Sequence, residues 1–299
     1  MKKSLFTAAL VLVAGVVHAQ ANDALAKVKT AGKIVIGTRD SSAPLAYTTG
    51  DGKYTGYHVE ICNRIADAVK AELKMSNLGV EYALVTSQNR IPLLVNGSID
   101  LECGSTTNNK TRQQQVAFAP TTYVTNVRMA VRANSGINSI ADLNGKKVAT
   151  TTGTTSVQLL RKHERGGNAN FSEVFGKDHA DSFLLLESGR ADAFVMDDNI
   201  LAGLIVNSKT PADFKIAGES LSEEPIAIMY RKDDPGFKRV VDGAVVSMIK
   251  SGEIEKLYNK WFTSPIPPRN VSVNMPISPS LKAALANPND KPAEDYAKK

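Results

Sequence analysis

Short β-branched runs alternate with stretches of helical spacing along this chain, and the alternation occurs twice. Residues 33–37 are apolar and β-branched and predict a strand, whereas residues 57–73 carry apolar side chains at helical intervals and predict a helix. Residues 80–85 then read as a strand, 91–95 as a short helix stopped by Asn96-Gly97, and 99–102 as a strand. The second half repeats the order, with strand 147–151, helix 156–164, strand 171–175, helix 182–187 and strand 191–196. That rhythm predicts an α/β fold with parallel sheets covered on both faces.

The halves also share a local signature. Asn96-Gly97-Ser98-Ile99-Asp100 and Ser188-Gly189-Arg190-Ala191-Asp192 each place a helix-stopping glycine before an aspartate that opens a strand. Five residues beyond each aspartate stand Ser105 and Asp197. Ligands of open parallel sheets bind beyond the carboxyl ends of the strands, so these two residues are expected to face one cleft from equivalent strand ends. Residues 121–127 and 221–228 are the expected crossovers. Entry through the first and return through the second divides the chain into a discontinuous lobe of residues 22–124 plus 226–299 and a second lobe of residues 125–225. The two linking strands would form a hinge. The tail from Phe262 on, with Pro265-Ile266-Pro267-Pro268, is expected to wrap the first lobe.

The first residues bear on location. Lys2-Lys3, an apolar run over 5–17 and Val17-His18-Ala19-Gln20-Ala21 have the layout of a secretory signal peptide, residues 1–21, with cleavage after Ala21 favoured over Ala19. The apolar run falls short of the ~20 residues that span a bilayer. No cysteine precedes Cys62, which argues against a lipid anchor, and no later stretch is apolar for long enough to insert in a membrane. Export to the periplasm is expected. Formal net charge is +6, of which Lys2 and Lys3 supply two, leaving +4 after cleavage. That mild balance fits a small anionic ligand. No dense Lys/Arg stripe with stacking aromatics is present, which argues against nucleic acid. Cys62 and Cys103 are the only cysteines. A disulfide enclosing the residues between them and a pair of buried thiols are equally compatible with the sequence, Cys62 falling on the apolar face of the helix at 57–73.

Chemistry is concentrated in Leu101-Glu102-Cys103-Gly104-Ser105-Thr106-Thr107-Asn108-Asn109-Lys110-Thr111-Arg112. Short hydroxyl and amide side chains donate over a small radius, and arginine offers a planar fork that grips a carboxylate through two parallel bonds. With Thr86-Ser87-Gln88-Asn89-Arg90 upstream, the segment reads as a site for a small anion with several oxygens. Adding Gly153-Thr154-Thr155-Ser156, Lys177-Asp178-His179 and Met196-Asp197-Asp198, the chain closely resembles the periplasmic glutamate/aspartate-binding proteins of ABC importers, from about Lys33 to Pro288-Asn289-Asp290-Lys291. The resemblance implies a type II two-lobed periplasmic-binding-protein fold, each lobe a mostly parallel sheet flanked by helices. It also implies a monomer without cofactor or metal, whose partners are glutamate or aspartate and inner-membrane ABC permease subunits.

An amino-acid ligand makes separate demands. Its α-carboxylate is assigned to Arg112, aided by Thr107 and by Thr155 at a helix start, where free N–H groups favour an anion. Its ammonium is assigned to Asp197, an acceptor-only group. Arg39, Ser87, Arg90, Ser105 and His179 then remain, and two further buried arginines would be a costly surplus beside a neutral ligand. A second ligand carboxylate answers that surplus. Asp178 or another acid is expected to orient His179, whose protonation would tune affinity with pH. His58 and His163 read as surface groups, and Tyr47 either as a ring against the ligand or as core. Leu45 after Pro44 and Thr152 before Gly153 depart from the group's usual aromatic and serine, which bears on pocket volume. An enzyme is the first rival, since family relatives include a dehydratase and cell-wall-cleaving enzymes; no G-x-S-x-G elbow exists, and the hydroxyls crowd with arginines rather than pair with a base. A sensory module is the second, though such modules are commonly fused to spanning helices.

Overall fold

A computed structural model of the chain describes residues 23–167 and 169–296, and the signal-peptide reading of residues 1–21 lies outside them. In chain order the first strands are β1 (Lys33–Thr38), β2 (Ser41–Ser42), β3 (Ala46–Thr48), β4 (Tyr54–Thr55), β5 (Gly79–Leu84), β6 (Leu101–Glu102) and β7 (Val116–Phe118). They are followed by β8 (Tyr123–Arg132), β9 (Lys147–Thr151), β10 (Ser172–Gly176), β11 (Ala193–Asp197), β12 (Phe214–Ile226) and β13 (Met229–Arg231). Two five-stranded sheets result, in the orders β5-β1-β6-β13-β7 and β10-β9-β11-β8-β12, with β2, β3 and β4 forming a small third sheet.

Each large sheet has four strands running one way and a single reversed strand. β1 runs parallel to β5 and β6, and β9 parallel to β10 and β11, but β13 lies antiparallel between β6 and β7, and β8 antiparallel between β11 and β12. The expectation of mostly parallel sheets holds, with one reversed strand in each. Hydrophobic spacing reports which faces of a strand are buried and carries no information about its direction. The antiparallel members are those flanking the passages between sheets: the chain leaves β7 of the first sheet for β8 of the second, and returns from β12 to β13. The second passage, residues 227–228, lies within the expected segment 221–228, whereas the first, residues 119–122, overlaps the expected 121–127 only at its end.

The repeat signature has a structural basis. The Asp100 carboxylate accepts the Val35 N–H at 2.9 Å while the Asp100 N–H donates to the Val35 carbonyl. Asp192 does the same to Lys147 of β9, its carboxylate accepting the N–H at 2.8 Å and its own N–H donating to the carbonyl. Each aspartate thus pins the start of its strand to the neighbouring one. β6 and β11 occupy the same third place in their sheets, and Ser105 and Asp197 lie just beyond or at their carboxyl ends.

The helix Tyr57–Leu73 matches its expected limits. It buries Tyr57, Ile61, Ile65 and Val69 along one line and His58, Cys62 and Ala66 along the next, which is the stripe that turns of 3.6 residues create. Cys62 is disulfide-bonded to Cys103, so the bridge ties this helix to the loop leaving β6. Tyr47 belongs to the core, with its ring edge-on to Trp261 and its hydroxyl donating to the Pro267 carbonyl. The tail does wrap this part of the molecule. Asn108 Nδ2 donates to the Asp290 carbonyl, Thr121 N–H to the Asn289 carbonyl, Ala293 N–H to the Asn108 carbonyl and Ser280 Oγ to Glu223. Replacing Cys62 with Ser should lower stability to urea by about 2–4 kcal/mol at unchanged helix content, and unreduced wild-type protein should show no reactive thiol after unfolding.

Candidate ligand-binding site

The loop after β6 and two turns from different sheets bring the polar residues together. Thr86 and Asn89 close one turn reciprocally, the Asn89 Oδ1 accepting the Thr86 N–H at 2.7 Å and the Thr86 hydroxyl accepting the Asn89 N–H at 3.2 Å. That turn sets Ser87 and places Arg90 as the first residue of the helix Arg90–Val95. Facing it, Gly153 adopts φ +83°, and a Cβ there would lie 2.9 Å from backbone atoms of Gln88. Only glycine allows both this left-handed backbone and this approach. The turn leads into the helix Thr155–Arg165.

Arg39, Ser87, Arg90, Ser105, Thr107, Arg112, His179 and Asp197 are all buried, and Thr155 is partly so. Arg112 Nη1 donates to the Thr107 carbonyl at 2.8 Å and Nη2 to the Gly153 carbonyl at 3.4 Å, bridging the two sides. Arg39 Nη1 donates to Ser105 Oγ at 3.4 Å. In contrast, Arg39 Nε and Nη2, Arg90 Nε and Nη1, Ser87 Oγ and His179 Nε2 are buried without a hydrogen-bond partner among the described residues. Glu102 Oε1 is likewise unpaired, but the unpaired donors outnumber it, and since buried polar groups are nearly always satisfied this marks a place for an anion.

Two acids escaped the sequence reading. Glu102 is buried, its Oε2 accepting from Thr106 at 2.6 Å, and it lies close beneath Arg39. Glu224 is buried on β12 and accepts from both Thr107 and Thr155. With Asp197 they set three carboxyl groups against three guanidinium groups, so the expected excess of positive charge does not exist as a formal count. Geometry carries the case instead, because Arg39 and Arg90 keep unpaired N–H groups despite the nearby acids. No sequence signal marked Glu224; Ser222-Glu223-Glu224 reads as an exposed acidic run. Glu102 stands inside the motif segment and was overlooked.

Burial lowers all three arginines. Arg39 falls to about 10, with Arg90 adding to the effect and Glu102 opposing it; Arg112 falls to about 9, again with Arg90 adding. Arg90 is lowered by burial and partly held up by Glu102, Asp197 and Glu224. Burial, then the Glu224 charge, raises the Asp197 carboxyl well above the usual aspartate range. His179 is held well below its ordinary value by burial and by Arg39 and Arg90, so the ring is neutral. Its Nδ1 meets Thr151 Oγ1 at 2.9 Å, while the Asp178 side chain caps its helix at the Asp181 N–H. Asp178 therefore does not orient His179; Thr151 does.

His58 is not a surface group. It is fully buried, donating from Nδ1 to the Gly104 carbonyl at 2.6 Å and meeting Thr122 Oγ1 from Nε2 at 2.9 Å. It joins the loop that carries Ser105 to the first crossover. His163 is half-buried.

The model for bacterial extracellular solute-binding proteins, family 3, matches residues 34–264, and the chain belongs to that family. An L-glutamate/L-aspartate-binding protein of Pseudomonas aeruginosa is 44% identical over 96% of this chain and 95% of its own length. A glutamate/aspartate import solute-binding protein of Escherichia coli strain K12 is 45% identical over 95% of each chain. Among solved structures, an ancestral arginine-binding protein bound to glutamine superposes with a TM-score of 0.69 at 29% identity, covering 77% of this chain and 98% of its own. The cysteine-binding protein of Campylobacter jejuni gives a TM-score of 0.70 at 25% identity, covering 80% and 92%. These relatives are solute-binding proteins, and the chain is one of their class rather than an enzyme.

Burial pushes His58 down to about 4 from its ordinary 6.5. The folded pKa lies below the unfolded one, so this part of the stability is complete above 6.5 and is lost as pH falls toward 4. Urea unfolding at pH 7 and pH 4.5 should register a His58-dependent loss of up to about 3 kcal/mol. An NMR titration should show its ring uncharged at pH 5.5; a midpoint near 6.5 would refute this account.

Proposed function

We propose that this protein is the periplasmic solute-binding component of an ABC importer for acidic amino acids, glutamate or aspartate. Support comes first from the buried, unpaired N–H groups of Arg39 and Arg90 beside the neutral His179. A ligand with a single carboxylate would answer Arg112 and leave these donors unmet, and an unmet buried charge costs several kcal/mol. The two relatives named for glutamate and aspartate, alike over nearly the whole chain, point the same way.

In this reading Arg112 takes the α-carboxylate through its fork and Asp197 takes the ammonium, whose arrival favours the ionised form that burial disfavours. Arg39, Ser87, Arg90, Ser105 and His179 receive the side-chain carboxylate. His179 offers Nε2–H in the tautomer whose Nδ1 accepts from Thr151. Thr107 and Thr155 suit the α-carboxylate less well than the sequence reading assumed, because Glu224 already takes their protons.

The chain works as two lobes, residues 22–124 plus 226–299 and residues 125–225, swinging about the passages from β7 to β8 and from β12 to β13. The open form admits the amino acid, and closure brings the turn of Ser87 and Arg90 against Gly153. Binding drives closure because Arg112 and Asp197 lie on opposite lobes and only the shut form satisfies the ligand at both ends. The closed monomer then docks on the inner-membrane permease. Residues 1–21 direct export and are removed after Ala21.

Calorimetric titration of glutamate, aspartate and glutamine tests the assignment. Arg112→Ala should abolish binding of both acids, and Arg90→Ala should narrow the gap between glutamate and glutamine by about 100-fold. Equal losses for glutamate and glutamine in the Arg90 variant would contradict it. Gly153→Ala should weaken glutamate by about 10- to 100-fold because a Cβ there obstructs the approach of Gln88, and the strain of its left-handed backbone should lower the melting temperature of the ligand-free protein by a few degrees. Unaltered affinity in that variant would show that the two turns need not meet.

A further inference from the structure

Glu224 is given no direct part in holding the ligand, yet two residues of the site depend on it. Its side chain is 3% exposed, and a single oxygen, Oε2, accepts from Thr107 Oγ1 at 2.6 Å and from Thr155 Oγ1 at 2.8 Å. The two threonines reach it from different sheets. Thr107 follows β6 and forms an isolated bridge with Ile226, whereas Thr155 opens the helix that follows β9. Glu224 itself sits on β12 opposite Thr125 of β8, on the pair of strands by which the chain passes between the sheets.

A hydroxyl has one proton and two lone pairs. Once Thr107 and Thr155 spend their protons on Glu224, each can only accept from anything else it meets. A carboxylate is also an acceptor and gains nothing from them. A protonated amine carries donors and gains from both. Asp197 stands near enough for the Glu224 charge to be felt strongly there, and Arg112, which lies against Thr107, is adjacent too.

We propose that Glu224 is a positioning residue that locks Thr107 and Thr155 as acceptors, so that the pocket demands a protonated amine beside Asp197 and rejects dicarboxylates lacking one. This rests on the acidic amino-acid reading given above and assigns the origin of its amine requirement. The group acts through the two hydroxyls rather than through contact with the ligand.

The test compares L-glutamate with glutarate, which has both carboxylates and no amine, by calorimetric titration of full-length mature protein. Wild type should prefer glutamate by at least about 100-fold. Glu224→Gln keeps an oxygen able to accept both hydroxyls and should retain most of that preference. Glu224→Leu frees the hydroxyls to turn and donate, and should weaken glutamate by about 10- to 100-fold while leaving glutarate equal or stronger. Equal weakening of both ligands in Glu224→Leu would mean a purely structural role and overturn the proposal, as would a preference that survives intact. Should Glu224→Leu fail to fold, a cycle of Glu224→Ala with Thr155→Val replaces it. Dependence makes the double variant lose no more of the preference than the worse single variant; additive losses reject the proposal. Wild-type protein that binds neither glutamate nor aspartate would instead overturn the function itself, a result distinct from any change in preference.

Discussion

A guanidinium group buried among apolar side chains needs acceptors for its N–H groups, and this protein buries three such groups within one charged neighbourhood. Arg112 is met on two sides by backbone carbonyls, but Arg39 and Arg90 keep donors that nothing among the described residues satisfies. Their environment explains why these donors stay open rather than collapsing onto Glu102. That acid is anchored from Thr106, and a Gly104 Cβ would run into both its Oε1 and the Arg39 stem. The packing holds cation and anion side by side without letting them pair. Much of the local architecture serves that separation, from the disulfide holding the loop after β6 to His58 fastening Gly104 to the first crossover.

The same neighbourhood shows how burial assigns chemical character. Desolvation and two arginines leave His179 neutral, so it can act only as a hydrogen-bonding group and not as a further cation. Asp197 is pushed toward its uncharged form until a positive partner restores the balance. A site arranged this way binds by exchanging internal strain in its charges for contacts with the guest. That is a stronger basis for selectivity than a simple excess of positive residues, which the structure does not have.

Much of the architecture was legible in the chain because it follows from spacing. The stripe from Tyr57 to Val69 and the apolar run at Lys147–Thr151 were readable to the residue, and the aspartate signature correctly marked equivalent strand starts. Which strand of each sheet is reversed was not legible, since a buried strand looks alike running either way. All nine candidate residues converge, because the motif order encoded them. What stayed hidden were partners supplied from a distance: Glu224 reads as half of an exposed acidic pair until strand pairing turns Glu223 outward and Glu224 inward. His58 shares the line of Cys62 and Ala66, so its burial was available from periodicity and was missed because polar residues are assumed to face water.

The tail beyond residue 264 lies outside the region that the family model matches. Its bonds to Asn108, Thr121 and Glu223 lay it across both passages between the sheets, next to the strand that carries Glu224. Under the proposed two-lobed motion this strap must flex or peel, which puts part of the work of opening far from the pocket.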